Sequence, residues 1–431
     1  MKKTLLTALI SSAFLLTACG GGGSGDESAS GSGNGTGVDN GAGDGTGGGD
    51  NGGVIVQPEP SIPLNNIADP VVRTEAYTET NMTSVAGESL VMTYKMLGVN
   101  GQEVQATSLV ITPKTAAPVE GWPIVVWAHG TTGVADQCAP SRSKLKVEIE
   151  GMITQLLSAG YVVVAPDYEG LGEPSGNEFH PFLNLKSEAY SITDAVVAAR
   201  HYLGVKVSNQ WMAVGHSQGG HAALGAAQYA SRANLDYKGA VAVAPASNLQ
   251  TIFNTGKQLV ANLPLKDQVS TLASLNTYAA LITAGMQGQA ASPTYAQVFE
   301  TNAATIAAQA ETICSEPLGI DFNTKMATAA NTSLSGYLTQ SDFMQVPAIS
   351  TFLNSTSQPL SVKVTTPVKI YQGGSDTTVP ANATADLITN ATKLGTTNIV
   401  LTYDLAWNHS TAYTSNIPNI IADVKSLMPI Q

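Results

Sequence analysis

The pentapeptide Gly215-His216-Ser217-Gln218-Gly219 constrains this chain more than any other stretch. It follows the apolar run Trp211-Met212-Ala213-Val214. It leads into Gly220-His221-Ala222-Ala223-Leu224-Gly225-Ala226-Ala227, which reads as a helix. A strand that becomes a helix within one serine forces that serine into a sparsely populated backbone conformation. Side chains two positions away on either side would collide with each other and with a sheet, so both places call for glycine. The turn lifts the hydroxyl above the strand end. The next amide lies at a helix start, where partial positive charge gathers. A serine that only caps a helix satisfies the same pentapeptide, so the rest of the chain has to decide.

Around this turn the chain alternates apolar runs with helical patterns. Ser89–Met96 and Glu103–Ile111 flank Gly98-Val99-Asn100-Gly101 and read as an antiparallel hairpin with an Asn-Gly turn. Ile124–Ala128 and Tyr161–Ala165 are unbroken apolar runs, as buried parallel strands carry. Ile149–Ala159, between them, fits a helix. Ser187–Leu203 puts Ile192, Ala195, Val196, Ala199, Tyr202 and Leu203 on one helical face. The strand before Gly215, then Gly239–Ala244, Val368–Tyr371 and Ile399–Tyr403, complete a set of eight. Alternating strands and helices of this kind imply an α/β fold, a mostly parallel eight-stranded sheet covered on both faces. No strand of this type falls between Ser247 and Thr366. The helical stretches there, Leu249–Leu263, Leu272–Met286, Tyr295–Cys314 and Ser335–Leu353, read as a cap inserted after the sixth strand. Ligand sites in such sheets lie at the carboxyl ends of the strands, so the cap would cover Ser217. These readings divide the chain into a core at 58–246 and 367–431 and a helical cap or lid at 247–366.

A serine hydroxyl is a weak nucleophile until a base takes its proton, and the base needs a carboxylate to orient it. If Ser217 is the nucleophile, the acid should follow the strand after the cap. Asp376 stands there, in Gly373-Gly374-Ser375-Asp376-Thr377-Thr378-Val379-Pro380, with Asp404 at the end of the last strand as the second choice. Of the six histidines (His129, His180, His201, His216, His221 and His409), only His409 lies beyond the cap, in the loop after the last strand. An oxyanion needs two pre-aimed donors. The amide of Gln218 is one. The loop His129-Gly130-Thr131-Thr132-Gly133 should supply the other, from Thr131 first and Thr132 next, with His129 holding the loop. Asp167 and Glu169, after the strand at Tyr161–Ala165, read as loop-structuring carboxylates. His216 and His221 read as packing or hydrogen-bonding residues.

The His129–Gly133 loop with Cys138, Pro166-Asp167-Tyr168-Glu169-Gly170, Gly215-His216-Ser217-Gln218-Gly219-Gly220, Asp376 and His409 together resemble the secretory lipase family of fungi and bacteria. The resemblance runs from about Tyr94 to the C-terminus. It implies a capped α/β-hydrolase fold, action on carboxylic esters, and Ser217, Asp376 and His409 as a catalytic triad. A serine peptidase or acyltransferase could use the same three residues. A non-catalytic surface binding protein on the same fold is the remaining alternative.

The first residues speak to location. Lys2 and Lys3 precede an apolar run from Leu5 to Leu16, closed by Leu16-Thr17-Ala18-Cys19-Gly20. A basic start, short apolar middle and small-residue end mark a signal peptide over 1–18, and the run is short for a bilayer span. Leu-Thr-Ala-Cys resembles the lipobox of bacterial lipoproteins, which implies lipidation of Cys19. Gly20 in place of aspartate favours the outer membrane, facing either the periplasm or the surface. Residues 20–53 are half glycine, so 19–57 reads as a flexible tether, spanning about 30 Å if it behaves as a coil.

The formal charge of −12 argues against nucleic acid and anionic lipid as partners. No Cys/His spacing suggests a metal site, and no cofactor is implied. Apart from Cys19 the cysteines are Cys138 and Cys314, an even pair that an oxidising compartment would join across more than 170 residues. The expected ligand is an ester or lipid with an apolar acyl part; oligomeric state is left open.

Overall fold

Strand residues point alternately to two apolar layers, and this period of two builds the architecture. Ile124, Val126, Val162, Val164, Trp211 and Ala213 face one layer. Val125, Trp127, Val163, Met212 and Val214 face the other. The computed structural model describes residues 61–172 and 178–430. The signal segment, Cys19 and the tether lie outside the described residues.

Nine strands form one sheet: β1 Val71–Ala76, β2 Ala86–Leu97, β3 Glu103–Pro113, β4 Trp122–Ala128, β5 Val162–Pro166, β6 Val207–His216, β7 Asp236–Val243, β8 Val368–Gly373 and β9 Ile399–Asp404. Their order is β1-β2-β3-β5-β4-β6-β7-β8-β9. The first three strands and the β3–β5 contact are antiparallel; every pair from β5 to β9 is parallel. The eight strands read from the sequence are present. β1 is an addition, and it displaces the insertion from after the sixth strand to after the seventh. Its residues Val71-Val72-Arg73-Thr74-Glu75-Ala76 lie almost wholly exposed at the sheet edge, so they carry neither an apolar run nor a clean alternation.

Helices α1 Val147–Ser158, α2 Leu185–Leu203 and α3 Gln218–Tyr229 follow β4, β5 and β6, and α4 Leu249–Val260 opens the insertion after β7. It continues through α5 Leu265–Gly285, α6 Tyr295–Val298, α7 Thr301–Ala307, α8 Ser315–Ala329 and α9 Pro347–Thr351. The parallel core then resumes with α10 Ala381–Lys393, α11 His409–Thr414 and α12 Ile417–Leu427. Side chains of α2, α3 and α10 fill one sheet layer and those of α1 and α12 the other. The inserted helices have an apolar core of their own, which takes in Val134, Phe182, Leu183 and Val379 from loops at the carboxyl ends of the strands.

Helix limits inside the insertion depart from the sequence reading. Tyr295–Cys314 is not one helix. Phe299 is extended and bridges Thr339, while the Glu300 carboxylate accepts the amides of Gly336 (2.6 Å) and Leu338 (3.2 Å). Burial of Phe299 in the insertion core therefore outweighs helical continuity. α8 lies outside the helical stretches read from the sequence; its Pro317 falls in the first turn, where a missing N–H costs nothing. Ser335–Leu353 is turn and loop only as far as Asp342; a single 3-10 turn, Phe343–Gln345, then leads into α9 and the π turn that follows it.

Candidate active site

Ser217 stands between β6 and α3 with φ 61° and ψ −119°. Its amide donates to the Val243 carbonyl (2.9 Å), and its carbonyl accepts from His221 and Ala246. The turn survives only because its neighbours lack side chains. A Cβ on Gly215 would overlap the Gly219 carbonyl, and one on Gly219 would overlap the Ala128 carbonyl. The serine thus meets both its own turn and the neighbouring strand β4 at bare backbone.

Two loops bring the acid and the histidine to the same end of the sheet. The loop after β8 is sewn to the loop after β9 by the Gly374 amide on the Asp404 carbonyl (2.8 Å), the Ser375 amide on the Trp407 carbonyl (3.0 Å) and the Ser375 hydroxyl on the Leu405 carbonyl (2.7 Å). Asp376 is buried. Its Oδ1 accepts the amides of Thr378 (2.9 Å) and Val379 (2.8 Å), and its Oδ2 is 2.8 Å from Nδ1 of His409. His409 begins α11, whose cap Asn408 accepts the Thr411 amide (2.9 Å). The His409 side chain keeps 19% of its surface exposed while the Asp376 carboxylate has none, so the ring is the reachable member of the pair. Asp404 instead accepts the Ala406 amide (2.8 Å) in its own loop.

His216 supports this arrangement from below. Its Nε2 donates to the His409 carbonyl (2.9 Å), and its ring stacks on Tyr413. Burial, with the neighbouring His409 ring, pushes its pKa down to about 3, so it stays neutral and serves as a prop. His129 braces the next loop through contacts with the carbonyls of Gly130 (2.7 Å) and Asp167 (3.1 Å). Asp167 takes the Thr107 hydroxyl (2.6 Å) and the Ser141 amide (2.9 Å). Glu169 takes the Val99 amide and the Ser187 hydroxyl, and burial raises its pKa to about 7. Both carboxylates thus order loops.

Two cavities meet at Ser217. A narrow apolar one, about 30 Å³, is walled by Phe182, Leu249, Phe253, Leu275 and Ile282 and reaches Thr131, Ser217 and Gln218. A wider one, about 510 Å³, takes in His129–Thr132, His216, Ser217 and His409. Tyr278 of α5 lines both. Among the described residues, the amides of Thr131 and Gln218 have no protein acceptor, so both are available to a ligand at Ser217. Cys138 and Cys314 form a disulfide that ties the loop after β4 to the start of α8. Beside it the Ser315 amide donates to the Thr132 carbonyl (2.8 Å). Among the described residues, no group of His, Cys, Asp and Glu side chains could hold a metal ion.

The sequence reading did not foresee Tyr278 or the buried partners of the Gln218 side chain. The Gln218 Nε2 donates to Glu188 Oε1 (2.8 Å) and to His180 Nε2 (2.7 Å). One signal was available. Glu188 precedes Ile192, Ala195 and Ala199 at spacings of four, seven and eleven, which puts an acid in line with the apolar stripe of α2, at its N-terminal end. Tyr278 offered none, because an aromatic residue on an apolar helix reads as core.

Solved structures share this arrangement of sheet and helices. The rice cell wall degrading esterase LipA from Xanthomonas oryzae aligns with a TM-score of 0.65 at 20% identity, over 84% of this chain and 98% of that one. Candida antarctica lipase A in its closed state aligns with a TM-score of 0.63 at 16% identity, over 83% and 82%. No curated protein matches the chain in sequence. The mostly parallel sheet and its structural relatives define an α/β-hydrolase fold. Within that class the chain belongs to the secretory lipase family, whose model matches residues 139–426, more than half of its length. It is accordingly a carboxylic ester hydrolase.

Proposed function

We propose that Ser217, His409 and Asp376 form the catalytic triad of a lipase or esterase acting on esters with an apolar acyl part. One observation carries this reading: His409, bonded through Nδ1 to buried Asp376, shares a cavity with the strained Ser217. Ser217 Oγ attacks the ester carbonyl carbon while His409 takes its proton. Asp376 holds the ring and stabilises its charged form. The amides of Gln218 and Thr131 receive the oxyanion. The C–O bond to the alcohol then breaks, and the alcohol leaves with the proton from His409. Water, deprotonated by the same histidine, cleaves the acyl-enzyme and restores the serine. Ser217→Ala in otherwise intact protein is expected to lower kcat on p-nitrophenyl esters by about 10⁴-fold or more. Activity within tenfold of wild type would end the proposal, and product analysis with peptide and alcohol acceptors separates hydrolysis from peptidase or acyltransferase action.

The narrow apolar cavity next to Gln218 supports acyl binding there, with the wider one left for the alcohol. We also propose that Cys19 carries lipid and holds the enzyme at the outer membrane through its glycine tether. Cys19→Ser is expected to move the protein from the membrane to the soluble fraction; a membrane fraction unchanged by the substitution rules the anchor out.

A further inference from the structure

Beneath the serine turn lies a closed polar network that the triad does not use. Glu188, His180 and His221 are fully buried, and Gln218 nearly so. Glu188 Oε1 accepts from the Gln218 side chain (2.8 Å) and from the Leu183 amide (3.1 Å). Glu188 Oε2 is 2.5 Å from His221 Nδ1. The other nitrogen of His221 meets the Ser357 carbonyl at 3.0 Å, at the far end of the helical insertion. Both ring nitrogens of His221 thus face oxygen atoms, one from α2 and one from the insertion. His180 completes the set. Its Nδ1 donates to the Glu169 carbonyl (2.9 Å), which leaves Nε2 as acceptor for Gln218. Burial holds His180 near pKa 4 and hence neutral. The two amide protons of Gln218 are both used, while its Oε1 is buried without a partner.

Burying such a network costs more than packing apolar side chains in its place. That cost falls on the one residue whose backbone amide follows the nucleophile. We infer that Glu188 is a positioning residue: through the Gln218 side chain it holds the Gln218 amide where the oxyanion forms. The same carboxylate holds the Leu183 amide, and Phe182 and Leu183 wall the apolar cavity. One side chain therefore sets the oxyanion donor and the acyl wall relative to each other. The inference rests on the oxyanion role proposed for Gln218. It also predicts that the network acts on the transition state more than on substrate binding, since the oxyanion exists only there.

The experiment compares Glu188→Gln, Gln218→Met, Asp194→Asn and Ser217→Ala in the full chain. Gln218→Met keeps the backbone amide and the Glu188–His221 pair but removes both side-chain donations. A misplaced oxyanion donor is expected to lower kcat about 10- to 100-fold. Glu188→Gln and Gln218→Met should both do this with KM nearly unchanged, and should weaken binding of an alkyl boronic acid, a tetrahedral oxyanion mimic, in proportion. Asp194, buried on the same helix and paired with Arg232 away from the site, supplies the structural control. Its substitution should lower the melting temperature and leave kcat and boronate affinity as they were. If Glu188→Gln does not fold, Gln218→Met decides alone. Wild-type kcat and boronate affinity in Gln218→Met, with Ser217→Ala inactive, overturn the positioning role and leave the triad standing. Retained activity in Ser217→Ala overturns the triad instead.

Discussion

Ser217 and His216 are adjacent, yet opposite demands shape them. Ser217 takes a positive φ that a side chain ordinarily avoids, and Gly215 and Gly219 make this geometrically feasible by exposing backbone to backbone. His216 is pressed between the His409 backbone and Tyr413 and kept neutral by burial. Its folded-state pKa of about 3 lies below the ordinary histidine value near 6.5. The sign follows directly. The unfolded chain binds the proton first, so the contribution of His216 to stability is complete above pH 6.5 and is lost as pH falls from there towards 3. At pH 5 the loss is about 2 kcal/mol. Urea midpoints at pH 7.5 and pH 5 should therefore drop further apart in the wild type than in His216→Phe. Equal drops would contradict the neutral, buried role of this ring.

At the scale of elements, the site is a meeting of loops that follow β4, β6, β8 and β9, closed from above by α4 and α5. Parallel strands side by side bring their carboxyl ends together, so residues more than 250 positions apart, Thr131 and His409, face one cavity. Tyr278 stands at the junction of the two cavities. The apolar cavity holds only about 30 Å³, so the acyl site proposed there would take short chains. Tyr278→Ala should join the two spaces and raise kcat/KM for a long-chain p-nitrophenyl ester relative to a butyrate ester by about tenfold or more, tenfold being the least that one well-placed methylene is worth. An unchanged ratio would show that Tyr278 does not limit acyl length. α2 carries the other element-level feature. Its apolar stripe faces the sheet, but Glu188 and Asp194 interrupt it. Asp194 is satisfied by a bidentate pair with Arg232 (2.8 Å for each contact) and by the Leu97 amide. Glu188 is satisfied by the network under Gln218.

For the whole molecule, the disulfide adds a covalent link to the apolar contacts that join insertion and core. Cys138 and Cys314 are 176 residues apart, and closing so large a loop stabilises the fold by about 5 kcal/mol in the chain-entropy account. The double variant Cys138→Ser/Cys314→Ser should melt roughly 5 °C lower by calorimetry for a protein of this size. Its kcat should fall as well, because the bond anchors the loop that carries Thr131. An unchanged melting temperature would remove the first claim, and an unchanged kcat the second. Family membership and the shared fold fit this plan of a parallel core bearing a helical insertion, although identity to the solved relatives is 20% or less.

Much of this was determined by the sequence on its own, and the reason is local. Apolar runs of β4, β5 and β6 announce buried strands, Gly-x-Ser-x-Gly announces a turn that only glycine permits, and chain order picks Asp376 and His409 from the loops that follow. Each is a constraint that a short stretch must satisfy by itself. Tertiary structure decided the rest. The edge strand β1 exists because β2 offers it unpaired backbone. The break at Phe299 exists because a core claims that ring. The Glu188–Gln218–His180–His221 network exists because three separate segments fold onto α3. No local pattern encodes those contacts, since their energy comes from burial that only the assembled molecule creates.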